Sequence, residues 1–310
     1  MITIDDIKSQ YLDKKLSQIT GYKFNVVANE GEFLPPQRHG NTVDKYINGI
    51  FAMTGADVRR LGSGSETYLY AFDFSLRFLL PLDDRTYQET QYGNSTLLYS
   101  NVRDFRTALS SAFSGMQVIS MPITENDRLV TYKGGVFVDL PMPVDMTMQM
   151  RQDIGNSIEY ACSMSVAVVA GGVNTQDIVF TINNFRVPFM SISIERTPTL
   201  SADLVSTREN GSSSAYPEST ALKIEFTVPA LEGIGTLYNR EVLNYILGIT
   251  PGNKTVPVGL GILGSYFLNN SNSDVQPMIF AGAKLQGEGV NNLVYSCALV
   301  NYTPDGEIIQ

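Results

Sequence analysis

The chain contains no tryptophan, one histidine and two cysteines in 310 residues. Two cysteines do not make a disulfide framework, and no thiolate cluster can form around a metal. The single histidine, His39, excludes zinc, copper and non-haem iron sites built from several imidazoles. A Ser-His-Asp hydrolase would have to use His39 itself as its base. Charge is scarce too: 17% of residues are Asp, Glu, Lys or Arg, below the quarter usual in globular proteins. Positive charge is the scarcer sign, with 22 Lys and Arg against 31 Asp and Glu and a net charge of -9. A protein that holds nucleic acid through its phosphates has the opposite balance. No apolar run approaches the roughly 18 residues of a membrane helix. The opening MITIDDIKSQYLDKK has no apolar signal core, so neither a membrane anchor nor a secretory route is expected.

What is present points to β structure. Sixteen Tyr and 15 Phe fit a sheet-rich protein, because aromatic residues pack well on a pleated surface. The polar surface must come largely from Ser, Thr, Asn, Gln and Tyr, which suits a protein whose faces are mostly covered by partners. A length of 310 residues suits two domains or one large β domain.

Residues 1–21 read as an N-terminal helical arm. Ile4, Ile7, Tyr11, Leu12, Leu16 and Ile19 recur at helical spacing, Asp5 and Asp6 sit in the first turn, and Gly21 is the stop. The arm docks on its own body or on a neighbour. Strands are expected at 23–27 and 46–53, with a loop at 31–40. The strongest signal is at 67–80, where Phe72, Phe74, Leu76 and Phe78 alternate with Asp73, Ser75 and Arg77 up to Pro81. Residues 83–97 read as a polar loop. A short helix over 101–113 has Val102, Phe105, Leu109 and Phe113 as its inner stripe and Gly115 as its stop. Strands follow at 117–121, 128–132, 135–140 and 157–169, with Gly171 and Gly172 after the last.

The halves resemble each other. Residues 156–164 match 291–299, including Tyr160 with Tyr295 and Cys162 with Cys297. Ile47-Asn48-Gly49-Ile50 matches Ile182-Asn183-Asn184-Phe185, and the strand ending at Pro81 matches the one ending at Pro229. Arg103-Asp104-Phe105 matches Arg240-Glu241-Val242, with the Ser-rich run 206–219 as a longer hairpin loop in the second copy. The expected fold is therefore mainly β: tandem duplicated β-sandwich or β-barrel domains over 22–172 and 173–310, each with one short helix, plus the N-terminal helical arm over 1–21. Open strand edges normally carry charge or proline. The strands at 163–170 and 291–300 are nearly charge-free, which suggests edges that pair with neighbours.

No catalytic, cofactor-binding or metal-ligating residue is expected. His39 lies in the loop Pro35-Pro36-Gln37-Arg38-His39-Gly40 without a nucleophile motif beside it. Cys162 and Cys297 read as small buried hydrophobes. Asp5-Asp6 and Asp83-Asp84 lack the alternating oxygens of a calcium loop and read as solvated surface. The glycines at 259, 261 and 264 lack the βαβ setting of a dinucleotide site. Arg59-Arg60 is a lone basic doublet.

With its paired β repeats, low charge, acidity and wealth of small polar residues, the chain resembles the tail-tube and tail-hub proteins of tailed bacteriophages. The resemblance covers about 22–170 and 173–303 and is architectural. It implies a virion protein, made in the host cytoplasm, that self-associates into a ring (a trimer first, a hexamer second) and contacts neighbouring tail or neck proteins. DNA would be passing cargo without sequence recognition. Strands 67–80 and 219–228 would form the inner wall, with helices 101–114 and 238–247 behind them. An acidic lining would let the duplex slide. The alternatives are a capsid, neck or cement protein, or a carbohydrate-binding, adhesin-type tandem β module with an aromatic-lined patch.

Overall fold

In the N-terminal arm, the Thr3 hydroxyl accepts from the Asp6 N–H while the Asp6 carboxylate accepts from the Thr3 N–H, a reciprocal cap that starts a helix. The helix runs through α1 (Ile4–Ile7), a π-helical turn (Lys8–Leu12) and α2 (Asp13–Leu16). Gly21, at φ +82°, turns the chain out of it. Ile2, Ile7, Tyr11, Leu12, Leu16 and Ile19 are all buried in the main core. The Ile2 N–H donates to the Tyr132 hydroxyl at 3.1 Å. The arm therefore packs on its own chain.

The computed structural model describes residues 2–28, 45–61, 67–125, 127–143, 149–151, 156–171, 180–187, 189, 191–199, 219–229, 245–246, 248–249, 251–252, 254–260, 275–286 and 294–301. After the arm come β1 (Tyr22–Val27), β2 (Lys45–Arg60), β3 (Tyr68–Pro81), α3 (Asp84–Gln91) and α4 (Thr96–Phe113). β4 (Gln117–Glu125), β5 (Arg128–Asp139), β6 (Gln149–Arg151) and β7 (Ser157–Ala170) complete the first half. The second half holds β8 (Thr181–Ile182), β9 (Phe185–Arg186), β10 (Ser191–Thr199) and β11 (Ser219–Pro229), then β12 (Thr255–Gly259), β13 (Val275–Gln286) and β14 (Val294–Val300).

The chain is mainly β, with its strands in one large sheet that is antiparallel apart from the short parallel β1–β2 pair. Fourteen strands join it, in the order β4-β5-β7-β3-β2-β10-β11-β14-β13-β12-β8-β9, with β1 beside β2 and β6 beside β7. Among the described residues this is a single open sheet; the expected pair of separate sandwiches or barrels does not form. The joint between the halves is the antiparallel pairing of β2 with β10, from Arg59 opposite Ser191 to Gly55 opposite Glu195. The boundary expected at 172/173 lies outside the described residues.

Outward from that joint the order is β2-β3-β7-β5-β4 on one side and β10-β11-β14-β13-β12 on the other. In each half the chain visits these positions in the same sequence, with helical residues between the second strand and the outermost one: α3 and α4 in the first half, Tyr245 and Ile246 in the second. The two halves thus share one strand order, read outward from the β2–β10 joint. The residue matches follow this less well. Ile47 lies in the long β2, whereas Ile182 lies in the short β8, elsewhere in the sheet. Pro81 pairs with Ser157 and Phe78 with Tyr160, while Pro229 pairs with Val294 and Phe226 with Cys297. With the prolines aligned, Tyr160 corresponds to Cys297, so the two cysteines are out of step along one face.

One sheet face is covered. The alternation in β3 buries Tyr70, Phe72, Phe74, Leu76 and Phe78. A β-bulge between Met53 and Gly55 inserts one residue in β2 and keeps Met53 and Ala56 on that same face. α4 lies over it with the expected stripe inward: Val102, Phe105, Leu109 and Phe113 are buried. The Phe105 ring meets Tyr22, Phe78 and Tyr160 edge-on at 5.4, 5.6 and 5.5 Å. In the second half Phe180 meets Phe226 at 4.9 Å, and Ile246 is buried.

The polar stretch at 83–97 is largely helical rather than a loop. Asp83 caps α3 by accepting from the Thr86 N–H at 2.7 Å. Its side chains are polar and Thr86 is the buried one, so no apolar period marked the helix. Strands expected at 128–132 and 135–140 are one strand, β5, running through Gly134 and Gly135. A Cβ on Gly134 would overlap the Ala167 carbonyl of β7, which is why glycine stands there.

Candidate functional site

The second face of the sheet is the broadest feature available to a partner. The alternation that sends Phe72, Phe74, Leu76 and Phe78 under the helices turns Asp73, Ser75 and Arg77 outward. β7 adds Ala161, Ser163, Ser165 and Ala167, all exposed. β10 and β11 continue the surface across the joint with Ser191, Ser193, Glu195, Lys223, Glu225 and Thr227. These positions are small, polar or charged, and β5 adds the half-exposed ring of Phe137 opposite Ser165. At one end Ile50 and Leu79 make a separate buried apolar cluster with Val27 and Ala52.

Several charges on this face are paired, while Lys133, Lys284 and Glu195 stand exposed on it. Arg59 Nη2 lies 3.3 Å from Asp57 Oδ2, Arg77 Nη1 lies 3.5 Å from Glu159 Oε1, and Lys223 Nζ lies 2.7 Å from Glu225 Oε1. The Ser165 hydroxyl donates to Asp73 Oδ1 at 2.7 Å. Exposed pairs of this kind contribute roughly 0–1 kcal/mol each to stability. Each pair also offsets its own charge locally.

The strands expected to be unpaired edges are interior ones. β7 lies between β5 and β3, and β14 lies between β11 and β13. Their lack of charge follows from ladders on both sides and one buried face. The outer positions belong to β4 at one end and to β12 with the β8–β9 hairpin at the other. Both β4 and β12 carry a central proline, Pro122 and Pro257, which removes a ladder donor and limits edge pairing.

Along β4 a groove of about 310 Å³ runs between the strand and the N-terminal helix. Gln10, Tyr11 and Lys15 form one wall, and Gln117, Val118, Ile119, Ser120 and Met121 form the other. Consecutive strand residues line it, so it follows the strand's edge rather than one face. Tyr11 donates its hydroxyl to Gln117 Oε1 at 2.8 Å, and burial pushes its pKa up to about 12, so it remains a donor at neutral pH. Sequence reasoning missed this groove, because its two walls lie about a hundred residues apart.

The chemistry-bearing residues do not converge. Cys162 and Cys297 are both buried, and burial raises both thiols, Cys297 to about 11. Asp6 and Asp83 serve as helix caps, and the N–H bond from Thr86 lowers the Asp83 pKa. Arg59 pairs with Asp57 near the end of β2. Gly259 ends β12, while positions 261 and 264 and the loop holding His39 lie outside the described residues. Among the described residues no three His, Cys, Asp or Glu side chains are grouped to hold a metal ion. No described helix is long and apolar enough to cross a membrane. Comparison with protein-family models, with curated proteins and with solved structures found no match to this chain.

Proposed function

We propose that this chain is a structural subunit of a bacteriophage tail, a tube, hub or adaptor component that closes into a ring and lets DNA pass without reading it. The observation that carries the reading is the one-sided sheet: strands spanning both halves, helices and most of the aromatic rings on one face, and mostly small, polar or charged residues on the other. A surface that DNA must slide along should hold few phosphates, and on this face Arg59, Arg77 and Lys223 each sit beside a carboxylate. The aromatic side chains concentrate on the covered face, which favours this reading over a glycan-binding module with an aromatic platform.

The strand order shared by the halves bears on ring size. Six equivalent places shared among three chains would need the halves to follow one another head to tail, and here they meet through corresponding strands. We therefore take each whole chain as one unit of the ring, with a trimer and a hexamer as the sizes to be distinguished. The test is mass measurement over a wide concentration range together with imaging of the assembly. A closed ring with the small-residue face lining a pore wide enough for duplex DNA is expected. A compact monomer at every concentration, or an assembly without a pore, overturns the conduit.

A further inference from the structure

Three features of the sheet bear on how one copy would meet the next. First, the path from β4 to β9 contains twelve strands joined by antiparallel pairings, so β4 and β9 point in opposite directions. Two copies with the same orientation, placed side by side, would bring β9 of one against β4 of the other as an antiparallel pair. Second, β12 and β4 occupy corresponding positions in the two halves, and their outer edges are treated differently. β12 receives a strand there: β8 pairs with it at Val258 and Gly259, and β8 carries β9 beyond it through a turn at Asn183 and Asn184, both at positive φ. Among the described residues β4 pairs only with β5, and the groove lies along its edge. Third, β9 is two residues long, and Phe185 in it is 43% exposed, with one side of its ring on Tyr245 of its own chain at 4.9 Å. The groove on β4 opens beside Val118, which is 91% exposed, with Met116 also exposed next to it.

We infer that the groove between β4 and the N-terminal helix is the seat for the β8–β9 hairpin of a second copy of this chain, with Phe185 as its anchor. The inference rests on the ring reading and names the joint of that ring. The groove is large enough for a phenyl ring, and on its strand wall Val118 is exposed beside the buried Ile119 and Met121. Its strand wall, Gln117 to Met121, stops just before Pro122, so proline ends the acceptor edge and limits the joint to a short, defined pairing. The incoming strand would be held by main-chain hydrogen bonds along this edge, and the aromatic ring would supply selectivity. The hairpin stays attached to β12 of its own chain, so the sheet would continue through the joint as it already continues through β2 and β10.

The test places one cysteine at each end of the sheet of the full-length chain, Ser120→Cys in β4 and Arg186→Cys in β9, and treats the protein with a short bis-maleimide. Eleven strand spacings of about 4.8 Å put the two positions roughly 50 Å apart along the sheet, so a bridge between them joins different chains. The native cysteines are buried and do not compete. The expected result is a ladder of linked chains from the double variant and none beyond dimer from either single variant. In the otherwise native chain, Phe185→Ser is expected to weaken association at least tenfold, whereas Phe185→Tyr, which keeps the ring packed on Tyr245 in its own chain, is expected to retain it. If Phe185→Ser fails to fold, the ladder decides alone. A native oligomer that gives no ladder overturns the joint and leaves the ring standing. Absence of any association up to millimolar concentration overturns both.

Discussion

Phe105→Ala tests the central packing of the first half. Phe105 is fully buried in α4, and its ring contacts Tyr22 from β1, Phe78 from β3 and Tyr160 from β7 edge-on, with Phe24 at 6.2 Å. Truncating a buried Phe to Ala costs about 3–5 kcal/mol through lost transfer energy and the cavity left behind. Each aromatic pair adds about 0.5–1.5 kcal/mol beyond burial, though such terms do not simply add. Three strands and a helix hold the walls of this site apart, so it cannot collapse onto the void. The upper part of the range, about 4–5 kcal/mol, is therefore expected, a large share of the 5–15 kcal/mol typical of a folded protein. Phe105→Leu keeps most of the volume and should cost about 1–1.5 kcal/mol. The assay is urea unfolding followed by far-UV circular dichroism and by tyrosine fluorescence, since the chain has no tryptophan. Coincidence of the two probes licenses a two-state free energy in a chain of this size. A cost for Phe105→Ala below about 1 kcal/mol would refute the seating of α4 on β3 and β7.

Gly134→Ala should be among the most damaging single-atom changes, because the added Cβ meets the Ala167 backbone rather than a movable side chain; loss of soluble protein or a drop of several kcal/mol, roughly 3 or more by the overpacking scale, is expected, whereas a neutral outcome would contradict the β5–β7 register. Both thiols should react with a soluble maleimide only as fast as the protein opens, and rapid labelling of native protein at either position would contradict their burial. Burial raises the Cys297 pKa from 9.0 to about 11 and that of Tyr11 from 10.0 to about 12. Because the folded values lie above the unfolded ones, their contribution is complete below about pH 9 and is lost as pH rises through about 11 and 12. The urea midpoint should hold from pH 7 to 9 and fall above it; a midpoint still rising beyond pH 10 would count against both assignments.

Several local elements were legible because one periodicity dominates each of them. The alternation of Phe72, Phe74, Leu76 and Phe78 marks β3, and the spacing of Val102, Phe105, Leu109 and Phe113 marks the inner face of α4. Ile7, Leu12 and Leu16 do the same for the N-terminal helix. α3 was hidden because a helix exposed on most sides buries too little to need an apolar period; its signal was the cap at Asp83, accepting from the N–H three residues on. The absence of charge in β7 and β14 was visible, yet its cause was ambiguous. A strand paired on both sides and an unguarded edge strand have similar composition, and only the pairing list of a folded sheet separates them.

Local patterns along the chain account for the mainly β class, the docking stripe of the first helix, the inward faces of β3 and α4, and the burial of two cysteines, since each depends on residues close together in the chain. The tertiary structure alone decided that both halves share one open sheet, that corresponding strands meet at the β2–β10 joint, and that a groove follows the β4 edge. Those features rest on pairings between residues such as Arg59 and Ser191, or Tyr11 and Gln117, separated by more than a hundred positions. Local pattern specifies which face of a strand turns inward; it does not specify which strand lies next to it, because any strand with the same alternation offers nearly the same ladder of backbone hydrogen bonds.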